Sequence, residues 1–196
     1  MKKVLLTTAT IMLAVVATVS GAKASTINTI LVESFNQALL SDEVGAQGLK
    51  LKVGDMAQYS LKAGFISGKM IMTVKDLTAD EAVITQDLDL GFAGKQACEV
   101  TLNPNTGETK KMVCNGQDQK PQDPSDIEVV ETKEDTIKVP AGQFVCIYVK
   151  AHIKSQNQDV EQWVNMKDVP VFGLVKTLAP SQLGKVSIEL EKFKKN

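Results

Sequence analysis

From Leu51 to the C-terminus, the chain consists of short apolar or alternating segments separated by Gly, Pro, Asn and Asp. The segments recur about every 8 to 12 residues, a spacing typical of β-sheets and barrels. Connections this short join antiparallel neighbours, because parallel strands need long crossovers. The pattern therefore predicts a mainly β fold, formed by an antiparallel sheet or barrel.

About eleven strands are expected in this region, because each segment is bounded by residues that favour turns. The predicted strands are Met56–Lys62, Lys69–Lys75, Ala82–Leu90, Gln96–Asn103, Glu108–Asn115, Ile127–Thr132, Thr136–Val139, Gln143–Ile153, Val160–Asn165, Val169–Lys176 and Gly184–Phe193. The polar segment from Gly116 to Asp126 predicts an exposed loop.

The segment before the strands has a different period. Its apolar residues recur at spacings of three and four, which predicts one N-terminal amphipathic helix from Ile27 to Leu40. The apolar stripe of this helix consists of Ile27, Ile30, Leu31, Phe35 and Leu39. A curved sheet offers an apolar face to such a stripe, so we expect the helix to act as a plug.

Residues 1–24 have the pattern of a cleaved signal peptide. Two lysines precede an apolar stretch, and Ala22-Lys23-Ala24 forms a cleavage site. We therefore expect a mature chain of residues 25–196, folded as a single β-rich domain in the periplasm or secreted. No later stretch reaches the length of a transmembrane helix, so the mature protein is not expected to span the membrane.

The charge of the chain argues against nucleic acid as a partner. The formal net charge is -1, and all 22 basic residues are lysine. Nucleic-acid binding needs a basic surface, and bidentate recognition of phosphate needs the guanidinium group of arginine. We therefore expect no nucleic-acid partner.

Three cysteines in an exported chain leave one without a partner. A three-residue loop at residues 105–107 would place Cys98 opposite Cys114 in one hairpin. This register predicts a Cys98–Cys114 disulfide, and neighbouring registers leave pairings with Cys146 open. A buried free thiol is the expected state of Cys146.

The segment around Cys146 contains Pro140-Ala141-Gly142, which predicts a hairpin with a three-residue loop. In that register Val139 pairs with Gln143 and Ile137 with Val145. The apolar face would then consist of Ile137, Val139, Val145, Ile147 and Val149, with Phe144, Cys146 and Tyr148 on the other face. Apolar residues on both faces predict a central strand that is covered on each side.

No motif for catalysis or metal binding is found. The only histidine, His152, lies six residues from Cys146 along one predicted strand, so about 20 Å separates them at 3.3 Å per residue. They cannot form a nucleophile and base pair. We expect no enzyme activity, no catalytic residues, no metal site and no cofactor.

The last third of the chain has a recognisable order of short motifs: residues 139–144 (VPAGQF), 162–164 (QWV), 169–171 (VPV), 173–176 (GLVK) and 184–190 (GKVSIEL). This order resembles the C-terminal half of exported bacterial proteins of unknown function. The helix followed by many antiparallel strands resembles the lipoprotein-carrier (LolA/LolB-like) superfamily. The resemblance implies a half-open barrel in which a helix plugs the curved sheet, and it implies no individual functional residue.

Two functions fit this pattern. The first is a non-catalytic envelope protein that binds a lipid or other hydrophobic ligand in a groove of the curved sheet. Candidate groove-lining residues are Met70, Met72, Phe144, Tyr148 and Trp163, because methionine and aromatic side chains adapt to apolar ligands. The alternative is a structural or interaction module that fills its core with its own side chains and binds an envelope protein.

Overall fold

The computed structural model describes residues 49–119, 126–181 and 184–196. These residues form one antiparallel sheet of eleven strands. The strands are β1 (Met56–Ala63), β2 (Ile66–Leu77), β3 (Ala82–Asp89), β4 (Lys95–Leu102), β5 (Thr109–Cys114), β6 (Gln117–Asp118), β7 (Ile127–Val139), β8 (Gly142–Ile153), β9 (Gln158–Val164), β10 (Leu174–Ser181) and β11 (Gly184–Lys194). The predicted mainly β, antiparallel fold class is confirmed.

The strand order is β6-β5-β4-β3-β2-β1-β11-β10-β9-β8-β7. Sequential strands are neighbours, as short turns require, except β6 and β7. The strands form two meanders, β1 to β6 (the N-terminal meander) and β7 to β11 (the C-terminal meander). The two meanders meet where β1 pairs with β11, so the first and last strands lie at the centre of the sheet. β6 and β7 are its two edges, and the sheet is not closed into a barrel.

The sheet bends strongly in its C-terminal half. The backbone N–H of Ala141, at the β7–β8 turn, donates to the carbonyl oxygen of Leu190 on β11 over 3.1 Å. Three strand spacings separate β8 from β11 in the strand order, which is about 14 Å in a flat sheet. The C-terminal strands must therefore curve back toward the middle of the sheet.

Three strand predictions need correction. The predicted strands Ile127–Thr132 and Thr136–Val139 form one continuous strand, β7. Its polar middle pairs with β8 without interruption, and its one register shift lies earlier, between Val129 and Glu131. The strand predicted from Val169 starts only at Leu174, because the backbone N–H of Val169 donates to Asn165 in a turn. Two residues of the segment predicted as a loop form the short strand β6.

The β7–β8 hairpin differs from its predicted form. Val139 pairs with Gly142 instead of Gln143, so the loop contains two residues, Pro140 and Ala141. Gly142 has a positive φ of 144° and begins β8. The register therefore shifts by one residue relative to the prediction.

This shift changes which side chains share a face, because strands alternate with a period of two. Ile137 pairs with Phe144, so it lies on the face of Phe144, Cys146 and Tyr148. Val145 lies on the other face and is 56% exposed. The predicted apolar face is therefore wrong. The strand is also second from the edge of the sheet, not central.

The register defines one continuous buried surface, here called the core face. Tyr59 pairs with Met70 on one side and with Leu190 on the other, so these three side chains lie on the same face. The same alternation extends across the sheet. Further buried members are Ala57, Leu61, Met72, Val74, Ile84, Leu88, Val100, Leu102, Met112 and Ile188.

Several predictions concern residues outside the described ranges. The signal peptide, the helix from Ile27 to Leu40 and its apolar stripe all precede residue 49. They stay predictions. Within the described ranges, no helix has the length and hydropathy needed to cross a membrane.

Candidate functional site

The structure divides the five predicted groove-lining residues between two faces. Met70 and Met72 lie on the core face, with 0% and 2% of their surface exposed. Trp163 follows Gln162, which belongs to the core face through its pairing with β10, so Trp163 points to the opposite face. Phe144 and Tyr148 share that opposite face. The five residues therefore do not line one surface together.

The three aromatic residues belong to a cluster on the opposite face of β7, β8 and β9. Tyr148 pairs with Trp163, and their ring centroids are 5.0 Å apart at an interplanar angle of 60°. The indole N–H of Trp163 donates to a carboxylate oxygen of Asp135 over 2.7 Å, across the intervening strand. Tilted rings at this distance attract each other, and the hydrogen bond satisfies the indole N–H.

Charged side chains surround the aromatic cluster. The Lys133 ammonium lies 4.8 Å from the centroid of the Tyr148 ring. Lys176 lies 6.0 Å from the Trp163 ring and forms an ion pair of 2.7 Å with Glu189. Burial, followed by the negative charge of neighbouring glutamates, raises the pKa of Tyr148. The cluster is thus a packed aromatic patch with an ionic rim.

Cys146 lies within this cluster as a buried free thiol, as predicted. Its Sγ contacts the carbonyl oxygen of Phe144 at 3.8 Å. Burial, followed by the charge of Asp135, raises the pKa of Cys146 from its ordinary value of 9.0 to about 12. A thiol is reactive as its thiolate, so Cys146 stays protonated and unreactive at neutral pH.

His152 lies at the far end of the strand that carries Cys146, as predicted. Its Nδ1 lies 2.8 Å from a carboxylate oxygen of Asp159, and Lys150 contacts the other oxygen at 2.9 Å. An open depression of about 730 Å³ lies beside this group. Its lining includes Glu161, which pairs with Lys185 at 3.6 Å. These charged side chains form ion pairs and hydrogen bonds with one another and do not converge on a common binding position.

The Cys98–Cys114 disulfide is confirmed. The two residues pair directly across β4 and β5, and their Cα atoms are 4.1 Å apart. A register shift between Thr101 and Leu102 follows, so the turn spans more than the predicted three residues without changing the pairing of the cysteines.

The core face also carries polar groups that the sequence analysis did not single out. Gln162 on β9 and Thr177 on β10 pair directly, and both are 0% exposed. Neither the amide of Gln162 nor the hydroxyl of Thr177 has a hydrogen-bond partner. Gln86 is likewise buried there, and its amide N–H lies 3.3 Å from the sulfur of Met70. The signal was visible in Val160-x-Gln162-x-Val164, where a polar residue occupies the buried phase of an alternating strand.

An unpaired buried polar group costs about 1 to 3 kcal/mol, so native cores contain few of them. The Gln162–Thr177 pair can both donate and accept hydrogen bonds. Apolar neighbours surround it on the core face, including Val164 and Ile188. The pair is therefore suited to a polar group attached to an apolar body. Within the described residues, no cluster of three or more His, Cys, Asp or Glu side chains is arranged to hold a metal ion.

The chain matches no protein-family model and no curated protein. It is similar to solved structures at low identity. An exported protein with a YmcC-like fold from Bacteroides fragilis has a TM-score of 0.43 and 13% identity, over 76% of this chain and 100% of that one. The hypothetical protein CT021 from Chlamydia trachomatis has a TM-score of 0.47 and 11% identity, over 74% and 88%.

MucB has a TM-score of 0.41 and 12% identity, over 89% of this chain and 59% of MucB. At these TM-scores the likenesses carry no argument about what this chain does. The resemblance to the lipoprotein carriers stays a prediction.

Proposed function

We propose that this protein is a non-catalytic envelope protein that binds an amphipathic ligand, such as a lipid, against the core face of its sheet. The observation that carries the proposal is the unpaired Gln162–Thr177 pair, which is buried in an apolar surface. Because bulk water does not reach these atoms, a ligand that pairs with them is buried on the core face as well.

The chemistry of the pair defines the class of ligand. The Gln162 amide can donate to a carbonyl oxygen, and the Thr177 hydroxyl can donate or accept. An acyl chain with an ester, amide or hydroxyl group supplies both the apolar body and the polar partner. Methionines on the same face, such as Met70 and Met72, adapt to apolar ligands of varied shape.

The ionisable groups of the opposite face support a non-catalytic role. Cys146 keeps its proton at neutral pH, because burial raises the pKa of its thiol to about 12. His152 lies at the other end of the same strand, and its Nδ1 contacts a carboxylate oxygen of Asp159 on β9. A nucleophile needs a base within hydrogen-bond reach, and these two residues do not supply that arrangement.

A second candidate function is an interaction module with a core filled by its own side chains. The complete burial of Tyr59, Met70 and Met72 favours it, because an open groove would leave such side chains accessible. The two functions differ in one respect. A self-filled core gives Gln162 and Thr177 no ligand to bind.

The test compares the full chain purified from its native envelope with a Gln162→Leu/Thr177→Val variant. Each preparation is extracted with solvent, its lipids are measured by mass spectrometry, and its stability is measured by urea unfolding. Gln143→Leu, at an exposed site on β8, is the control. We expect wild type and control to carry a stoichiometric lipid and the double variant to lose most of it.

The double variant should be more stable than lipid-free wild type by about 1 to 3 kcal/mol, because it removes unpaired buried polar groups. Lipid in the double variant at the wild-type level would contradict the role of the pair. No lipid in wild type, together with the same gain in stability, would favour the self-filled interaction module.

A further inference from the structure

Two neighbouring turns at one end of the sheet share a pattern. Gly64-Phe65 joins β1 to β2, and Gly91-Phe92 lies between β3 and β4. Both glycines have a positive φ, 59° and 61°, and each turn is followed by a Gly-Lys pair. Phe65 is 72% exposed and Phe92 is 79% exposed. Their rings stack at a centroid distance of 6.2 Å and an interplanar angle of 9°.

Backbone contacts hold the two turns together. A Cβ added at Gly68 would lie 2.6 Å from the carbonyl oxygen of Asp89, so the strands below the turns approach as closely as glycine allows. The Asp89 carboxylate accepts a hydrogen bond from the N–H of Gly91 over 2.9 Å and pairs with Lys95 at 2.8 Å. The two phenylalanines are therefore presented together on an organised support. We call this pair the aromatic tip.

Uncharged residues flank the two rings of the aromatic tip, and lysines lie next to them. The stretches 63–67 and 90–94, which carry the two rings, contain no charged residue. Lys62, Lys69 and Lys95 lie at their bases, and the first two have no ion-pair partner within the described ranges. Exposed aromatic rings next to lysines are typical of segments that bind the interface of a membrane.

We propose that the aromatic tip inserts into the interfacial region of a lipid bilayer, with Lys62 and Lys69 facing anionic headgroups. The small size of the tip favours a lipid surface over a protein partner. Two aromatic side chains bury at most about 500 Å² together, whereas a stable protein interface needs about 800 Å² from each partner. A bilayer accepts single side chains without a matching surface, and each nearby lysine adds attraction to anionic lipids. This tip is distinct from the Gln162–Thr177 pair.

The test is co-sedimentation of the full chain with vesicles of phosphatidylethanolamine and phosphatidylglycerol. We compare wild type with a Phe65→Ser/Phe92→Ser variant. The matched control is Val129→Ser/Val145→Ser, which removes two exposed apolar side chains from β7 and β8. Wild type and control should bind, and the Phe variant should lose at least about tenfold in apparent affinity, because shielding each ring from water contributes more than 1.4 kcal/mol.

Added salt should weaken wild-type binding, because it screens the lysines. A second variant reports insertion directly. Phe65→Trp in a Trp163→Phe background should show a blue-shifted emission when the vesicles are added. An unshifted emission, or equal binding of the Phe variant and wild type, would overturn the proposal. Dimerisation of wild type that the Phe variant abolishes, without binding to vesicles, would assign the tip to a second copy of the chain instead.

Discussion

The two meanders of the sheet pack differently, although both are antiparallel. Strands β1 to β5 bury one face. Met70, Ile84 and Val100 are 0–3% exposed on the core face, whereas Ile71 on the other face is 36% exposed. Strands β8 to β10 have buried residues on both faces. Val149 is buried on the core face, and Tyr148 is buried on the opposite face.

The bend of the sheet, which brings the β7–β8 turn close to β11, explains this difference. The hydrogen bond from Ala141 to Leu190 brings the hairpin back to β11, and Phe144 contacts Phe193 at a ring distance of 6.2 Å. A bent sheet can shield part of its second face with its own strands. The N-terminal meander ends at a two-residue edge strand and is tied by a disulfide instead. One meander is therefore stabilised by packing on two faces and the other by packing on one face and a covalent link.

The largest expected effect comes from removing the central aromatic residue of the C-terminal meander. Trp163→Ala should lower the free energy of unfolding by about 3 to 5 kcal/mol, because it leaves a cavity in a buried cluster. Urea unfolding measures this change.

Trp163→Phe is the matched control. It keeps a ring next to Tyr148 and loses the hydrogen bond to Asp135, so its cost should be smaller, about 1.5 to 3 kcal/mol. A loss below about 1 kcal/mol for Trp163→Ala, which is the average effect of a point mutation, would mean that the aromatic cluster does not stabilise this half.

A somewhat smaller effect is expected at the edge of the N-terminal meander. Cys98→Ala/Cys114→Ala should cost about 2 to 4 kcal/mol, because the unfolded chain gains the freedom that the cross-link removes. Reductant should destabilise wild type by a similar amount and leave the double variant unchanged. If reductant destabilised both equally, the effect would have to arise elsewhere than in this disulfide.

Up to about pH 10, the smallest effect is a pH dependence within the aromatic cluster, because a slope of about 1.4 kcal/mol per pH unit has then acted over only about one unit above 9.0. Burial raises the pKa of Cys146 from 9.0 to about 12, so the folded state keeps a proton that the unfolded state loses. The stability due to the neutral thiol is complete below pH 9.0 and is lost as pH rises toward 12, at up to about 1.4 kcal/mol per pH unit.

Urea unfolding of wild type and Cys146→Ala as a function of alkaline pH isolates this effect, since other groups titrate in both proteins. The stability of wild type should fall more steeply above pH 9.0 than that of the variant. Parallel curves would show that the thiol ionises alike in both states, and the second face would then be more open to water than its packing indicates.

Local signals predicted much of the sheet. The strand that contains Met70 and the strand that ends at Ile153 were located within a few residues, because alternation and turn residues act over short distances. The Cys98–Cys114 pairing also followed from a local hairpin. The register at Pro140 could not be obtained in this way, because apolar side chains on both faces of β8 fit either register.

The sequence by itself determined the antiparallel β class, the approximate number of strands and one disulfide, since each depends on residues that are close along the chain. Only the tertiary structure decided that β1 lies beside β11 and that Ala141, in the β7–β8 turn, reaches Leu190. It also decided that Gln162 and Thr177 meet on a buried face. It also brought Phe65 and Phe92 together. These contacts join distant parts of the chain. They depend on the bend and register of the whole sheet, which no short segment encodes alone.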